Sequence, residues 1–227
     1  MLLSLGCSRG GDVVLLTIDT LRVDHVGAFS DSSPAQTPNI DSLAREGVSY
    51  TQAYSPISVT GPAFATLNTG KSPGTHGVII NMFRGGKSLS DEHVTLAERF
   101  AEHGYSTGSF VSGFTLHPML GLDQGFDYYS APGERTARRD GGETATLAMD
   151  WLWWRAGKVF LWYHTYDPHG PWDRWDTATS RPRSKSEKRR KKRRKPPQIP
   201  SYQWLPGHPD SGLYEELYAR AVEYADE

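Results

Sequence analysis

Two stretches of this chain are apolar at nearly every position instead of at every second one: "DVVLLTID", Asp12 to Asp19, and "KVFLWYH", Lys158 to His164. A strand with apolar residues on both sides must be covered on both sides, and parallel sheets meet that condition because their crossover helices pack on the two faces. Both runs end in polar residues, the first at Asp19 and the second in "TYDPHGPW". In open α/β sheets ligands bind at the carboxyl ends of the strands, so these exits are where chemistry is expected. Between the two runs, "TPNIDSLAREG" predicts a helix with Thr37 as N-cap, Pro38 at the first helical position and Gly47 as terminator. "HVTLAERFAEHG" predicts a helix from about Val94 to His103, "YSTGSFVSG" a strand and "ETATLAMDWLWWRAG" another helix. Strand and helix alternate, so the expected fold is α/β, with a mostly parallel central sheet flanked by helices. The final stretch, "SGLYEELYARAVEYADE", places Leu213, Leu217 and Ala221 at helical spacing and has no strand after it, which predicts a fold that is incomplete at Glu227.

Charge is distributed unevenly. Residues 181 to 200 hold 11 of the 25 Lys and Arg residues and one of the 26 acidic ones, so the remaining body is acidic, near −11, although the whole chain sums to −1. A like-charge run of this kind, closed by prolines, reads as a disordered, solvated insertion. Without aromatic interleaving it points to no specific nucleic acid, although a polyanion-binding role stays open. The single cysteine, Cys7, excludes an internal disulfide and a cysteine-based metal site. The opening "MLLSLGCS" is apolar and ends at that cysteine, which reads as the remnant of a lipoprotein signal over residues 1 to 11, with Cys7 as the lipidated residue. On that reading a periplasmic or lipid-anchored location is favoured over a cytoplasmic one. The expected organisation is an α/β domain over residues 12–180, the basic insertion at 181–200, and a continuation of the same domain over 201–227.

"SPISVTGPAFATLNTG", Ser55 to Gly70, leaves a Ser- and Pro-rich loop, turns on Gly61 and Pro62 and enters an apolar helical segment. Thr60, at that turn, has two roles open to it. Its hydroxyl can cap the helix by bonding a backbone N–H, or it can be a nucleophile placed where the helix dipole and its N–H groups favour an anion.

Several stretches in order, "VVLLTIDTLRVDHVGAF", "TPNIDSLAREGVSYTQAYSP", "TLNTGKSPGTHGV", "TLAERFAEHGYSTGSFVSGF", "GLDQGFDYY" and "FLWYHTYDPHGPW", resemble the N-terminal part of the sulfatase family, within the alkaline-phosphatase-like superfamily. The resemblance implies hydrolysis of sulfate or phosphate esters at a divalent metal ion, calcium in a sulfatase and zinc or magnesium in a phosphoesterase. It implies that Asp19 is a metal ligand at the end of the first strand, with Thr20 where the family has a second carboxylate. Thr60 falls at the nucleophile position. The family's nucleophile there is a cysteine or serine oxidised to formylglycine, followed after a proline by an arginine; this chain keeps Pro62 but has Thr60 and Phe64, so no formylglycine is expected. A metal-activated threonine hydroxyl is the chemistry left open. His169 matches the family's histidine beside the leaving group, and His164 and Asp167 flank it as substrate-binding candidates. Asp24, His25 and His76 read as packing residues, and Lys71 and Arg84 as solvated cations. The lysine and histidine that sulfatases carry near "YSTGSFVSGF" are missing, and the family's remaining metal ligands fall beyond Glu227.

The resulting expectation is a sulfatase-like, metal-dependent hydrolase of sulfuric esters. A phosphomonoesterase, phosphodiesterase or phosphotransferase using Thr60 is the alternative, and a non-catalytic sulfatase-like binding protein is a third reading.

Overall fold

In the computed structural model of the chain, the residues described are 2–3, 11–81, 85–133, 136–172 and 211–227. Cys7, Arg84 and the basic run at 181–200 lie outside them. The chain divides into two compact units, one made of Met1–Asp19 and Tyr50–Tyr166, the other of Thr20–Ser49 and Asp167–Glu227.

The first unit contains the sheet. Its strands are β1 (Leu2–Leu3), β2 (Val13–Ile18), β3 (Ser106–Val111), β4 (Tyr128–Ser130) and β5 (Val159–Thr165), in the order β1-β2-β5-β3-β4. All adjacent pairs are parallel except the short edge pair β1 and β2. The sheet is therefore mostly parallel, and its centre is the two apolar runs, side by side in a register that sets Thr17 against His164. Successive residues of a strand face opposite sides, and β5 shows both sides buried. Phe160 and Trp162 enter one cluster with Leu15, Phe64 and Ala65 of α2 (Thr60–Thr69), and Leu96, Ala97 and Phe100 of α4 (Leu96–Glu102). Val159 and Leu161 enter the other with Phe110, Ala148 and Trp151 of α5 (Gly141–Trp153). Helices thus cover both faces of the sheet.

Local chemistry sets the helix ends. The α4 helix is shorter than the sequence implies because Thr95 and Glu98 form a capping box, each side chain bonding the other's backbone N–H. Gly108 lies directly under the Trp151 indole, and a Cβ there would stand 2.7 Å from the ring.

In the second unit, α1 (Pro38–Glu46) starts and stops where the sequence predicts, but Thr37 is not its side-chain cap. The Thr37 hydroxyl accepts from Gly27 N–H and donates to Asp41, each at 2.9 Å, tying the preceding loop to the helix. The capping is tertiary instead. Asp226, at the end of α6 (Ser211–Asp226), accepts from Asn39 N–H at 3.0 Å and Ile40 N–H at 2.7 Å. The buried side of α6 includes Leu217, Tyr218, Ala221 and Val222, of which Tyr218 and Val222 join Ala35 and Trp172 in one cluster. Among the described residues no helix is long and apolar enough to cross a membrane.

Candidate functional site

Within the first unit, the carboxyl ends of β2 and β5 bring together a buried acid and a buried base. Asp19 follows the last residue of β2, and its backbone N–H extends the ladder by donating to Thr165 O at 2.9 Å. Alternation along β2 puts Leu15, Thr17 and Asp19 on one face, the face that carries α2 and α4. His164, opposite Thr17, has no exposed surface, and its Nε2 lies 3.7 Å from Asp19 Oδ2. The other edge of the imidazole is fixed. Nδ1 is 3.0 Å from Thr17 Oγ1, which also accepts from Trp162 Nε1–H at 3.0 Å and lies 3.2 Å from Tyr163 O. A hydroxyl has one proton, so Thr17 either donates to Nδ1, leaving Nε2–H to face Asp19, or donates to Tyr163 O and accepts Nδ1–H. Both arrangements hold the ring with Nε2 toward the carboxylate. The sequence reading offered His164 as a substrate-binding candidate; in the fold it is completely buried, between Thr17 and Asp19.

Phe64 closes this group from α2, meeting the His164 ring edge-to-face at 4.8 Å. Thr60 is four residues earlier and so on the same side of the helix, one turn toward its start. It is the first residue of α2, not its cap: the N-cap is Val59, and no side chain of either residue closes the first turn. No hydrogen bond engages the Thr60 hydroxyl among the described residues. The helix start is less open to an anion than the sequence suggests, because Pro62 has no N–H and Gly61 N–H donates to Asn81 Oδ1 at 2.8 Å. Asn81 is a residue that sequence reasoning missed. A Cβ at Gly61 would stand 2.9 Å from that oxygen, so a larger residue there would displace the amide.

The other expected site residues, Thr20, Asp167 and His169, belong to the second unit. Thr20 is exposed and adopts a left-handed backbone, φ 55°, strained for a β-branched residue and worth on the order of 1–3 kcal/mol. Tyr218 holds the turn: its hydroxyl donates to Thr20 O at 2.7 Å and accepts Arg22 N–H at 2.9 Å. No sequence signal distinguished Tyr218 from the other apolar-face residues of α6. Asp167 is buried, and His169 is half-buried with Nδ1 donating to Gly170 O at 2.6 Å. Because a carbonyl only accepts, Nδ1 carries a proton. His25 packs as expected, whereas Asp24, in the first turn of a short 3-10 helix, is exposed. His25 Nδ1 lies 2.9 Å from Asp24, the ring meets Tyr218 edge-on at 4.7 Å, and the Arg22 guanidinium holds the Asp24 carboxyl well below its usual range.

Asp19 suits a hard cation, which takes oxygen donors. It does not suffice alone, and among the described residues no cluster of three His, Cys, Asp or Glu side chains is assembled.

The sequence and the fold both have known counterparts. A family model described as Sulfatase matches residues 11–227. Human arylsulfatase A is 39% identical over 108 residues, 46% of this chain and 21% of that protein. Mouse ectonucleotide pyrophosphatase/phosphodiesterase family member 7 is 35% identical over 142 residues, 61% of this chain and 26% of that protein. The crystal structure of a phosphonate monoester hydrolase of Agrobacterium radiobacter superposes with a TM-score of 0.67 at 21% identity, over 95% of this chain and 57% of that one. The chain therefore spans about a quarter or less of these curated relatives and just over half of the solved structure.

Proposed function

The chain belongs to the sulfatase family, and from that premise we propose that it carries the nucleophile half of an ester-hydrolase site, in which the Thr60 hydroxyl attacks the sulfur or phosphorus of an anionic ester. The observation that carries this reading is the state of Thr60: a hydroxyl at the first position of α2, released from capping and one turn from the Phe64–His164–Asp19 group. In the step, a bond forms from Thr60 Oγ to sulfur or phosphorus as the bond to the leaving oxygen breaks. Thr60 gives up its proton to water, and the departing alkoxide takes one back from water; the family pattern gives His169 the place beside the leaving group. Water then displaces Thr60 from the sulfated or phosphorylated intermediate and regenerates the hydroxyl. Asp19 is the residue that would hold a divalent cation, with His164 keeping the carboxylate in place. Such an ion supplies positive charge that favours the alkoxide form of a nearby hydroxyl. Calcium is the ion proposed for a sulfatase and zinc or magnesium for a phosphoesterase, with further ligands drawn from the part of the family's length that this chain does not span.

Phosphate esters are the second reading, and a specific feature favours them. Thr60 cannot become an aldehyde hydrate, and the phosphodiesterase and phosphonate hydrolase likenesses belong to the same superfamily. The test is to assay the full-length protein on an aryl sulfate and an aryl phosphate with calcium or zinc added, and to search for a covalent adduct by mass spectrometry. The proposal expects turnover of one ester class, an adduct on Thr60, and loss of both in Thr60→Ala. Undiminished turnover in Thr60→Ala would overturn it.

A further inference from the structure

At the end of the strands opposite Asp19, the α5 helix finishes in two indoles that no described residue covers. Trp153 and Trp154 keep 81% and 84% of their exposure, and Met149, one turn before Trp153, keeps 62%. Their neighbours Ala148 and Trp151 are buried against the sheet, so this is the outward side of a helix that is otherwise well packed. Neither indole has a ring or hydrogen-bond partner among the described residues. The turn that follows them, Arg155 to Lys158, is exposed and cationic. The Arg155 guanidinium lies 4.6 Å over the Trp151 ring and the Lys158 ammonium 5.5 Å from the Tyr105 ring.

The acids near this rim are mostly engaged. Asp12 accepts from Val159 N–H at 3.0 Å, and Glu102 pairs with Arg99 at 3.0 Å, leaving Asp150 exposed on α5. On a body whose net charge is strongly acidic, two exposed cations, without a carboxylate partner among the described residues, bordering two exposed indoles are a local exception. The turn also sits beside the point where the apolar N-terminal sequence enters the sheet: Lys158 Cδ is 3.7 Å from where a Cβ on Gly11 would stand.

We propose that this end of the first unit is a membrane-docking surface, with Trp153, Trp154 and Met149 lying in the headgroup region of a phospholipid bilayer and Arg155 and Lys158 at the level of its phosphates. Indoles suit that depth because the ring is apolar and its N–H polar, and cations beside them match the lipid phosphates. A second copy of the chain or another protein would not need the cationic border, nor its position next to Gly11. The seven residues of β5 separate the indoles from the carboxyl edge by roughly 20 Å. A chain docked in this way keeps Asp19 and the start of α2 away from the lipid, open to a soluble ester.

The experiment is co-sedimentation of the full chain with phosphatidylcholine vesicles in about 0.5 M NaCl, where screening within a few ångströms silences the basic run at 181–195. Tryptophan quenching by brominated acyl chains is read in parallel. The chain is expected to partition and to be quenched. Trp153→Ser with Trp154→Ser is expected to weaken partitioning by at least about tenfold without changing the melting temperature, since these side chains pack on no described residue. Three results would overturn the proposal: no partitioning, equal partitioning of the double variant, or indoles of the full-length protein already shielded from acrylamide without vesicles. A dimer that dissociates in the double variant would equally replace the lipid with a second copy.

Discussion

Thr17→Val tests the support of the buried Asp19–His164 pair with little change of shape. The substitution exchanges a hydroxyl for a methyl and deletes two interactions at once, the acceptor for Trp162 Nε1–H and the partner of His164 Nδ1, each at 3.0 Å. Both Trp162 and His164 have no exposed surface. Each buried polar group left unpaired costs about 1–3 kcal/mol, and the added methyl returns less than about 1 kcal/mol, so the net loss is about 1–5 kcal/mol. At about 3 °C per kcal/mol for a unit of this size, the melting temperature should fall by roughly 3–15 °C. Thr17→Ser is the control, because it keeps the hydroxyl and gives up only a half-buried methyl, for a loss under about 1 kcal/mol. Urea unfolding with an unchanged denaturant slope would read the difference directly. A valine variant within about 0.5 kcal/mol of wild type, or a serine variant as damaged as the valine one, would show that the Trp162–Thr17–His164 chain does not hold the site.

His76 gives a pH signature. Val78 N–H donates to its Nδ1 at 3.1 Å and Nε2 faces Thr66 Oγ1 at 3.0 Å, so the ring is held as the neutral Nε2–H tautomer. Burial first and the nearby His93 second push its pKa below 6.5, with Lys71 bonded to His93 in turn. The unfolded chain takes that proton at the ordinary value and the folded chain resists it. Stability is therefore complete above about pH 6.5 and declines as the pH falls below it; melting curves at pH 8 and pH 5 should show a smaller acid loss in His76→Asn than in wild type. Asp226→Asn should destabilise the second unit by about 1–2 kcal/mol, because the charged cap of α1 is lost, and hydrogen exchange at Ile40 N–H should rise. An unchanged rate there would refute the tertiary cap. Gly108→Ala should cost about 1–3 kcal/mol by driving a methyl into the Trp151 ring, with a change in near-ultraviolet circular dichroism; a silent substitution would mean that the indole has room to move.

The sequence by itself determined the sheet and its helical layers. Runs such as Val13–Ile18 and Val159–Thr165 state their own environment, because a strand apolar on both sides has only a doubly covered parallel sheet to enter. Helix boundaries at Pro38 and Gly47 were legible for the same reason, since those residues act through their own backbone preferences. The order of motifs pointed to the family, and the positions of Asp19, Thr60 and His169 came with it. Only the tertiary structure decided what each polar group does. Thr37 and Thr60 both sit at helix starts, the first read as a cap and the second as a cap or a nucleophile, yet the N–H groups are taken by Asp226 and Asn81, 186 residues and 20 residues away. The neighbours of His164 were not legible either: register across the sheet sets it opposite Thr17 and next to Asp19. Hydrophobic periodicity is a property of neighbours in sequence and survives in a string of letters. A hydrogen bond across tens of residues depends on where the fold puts its two ends, and no local pattern records that.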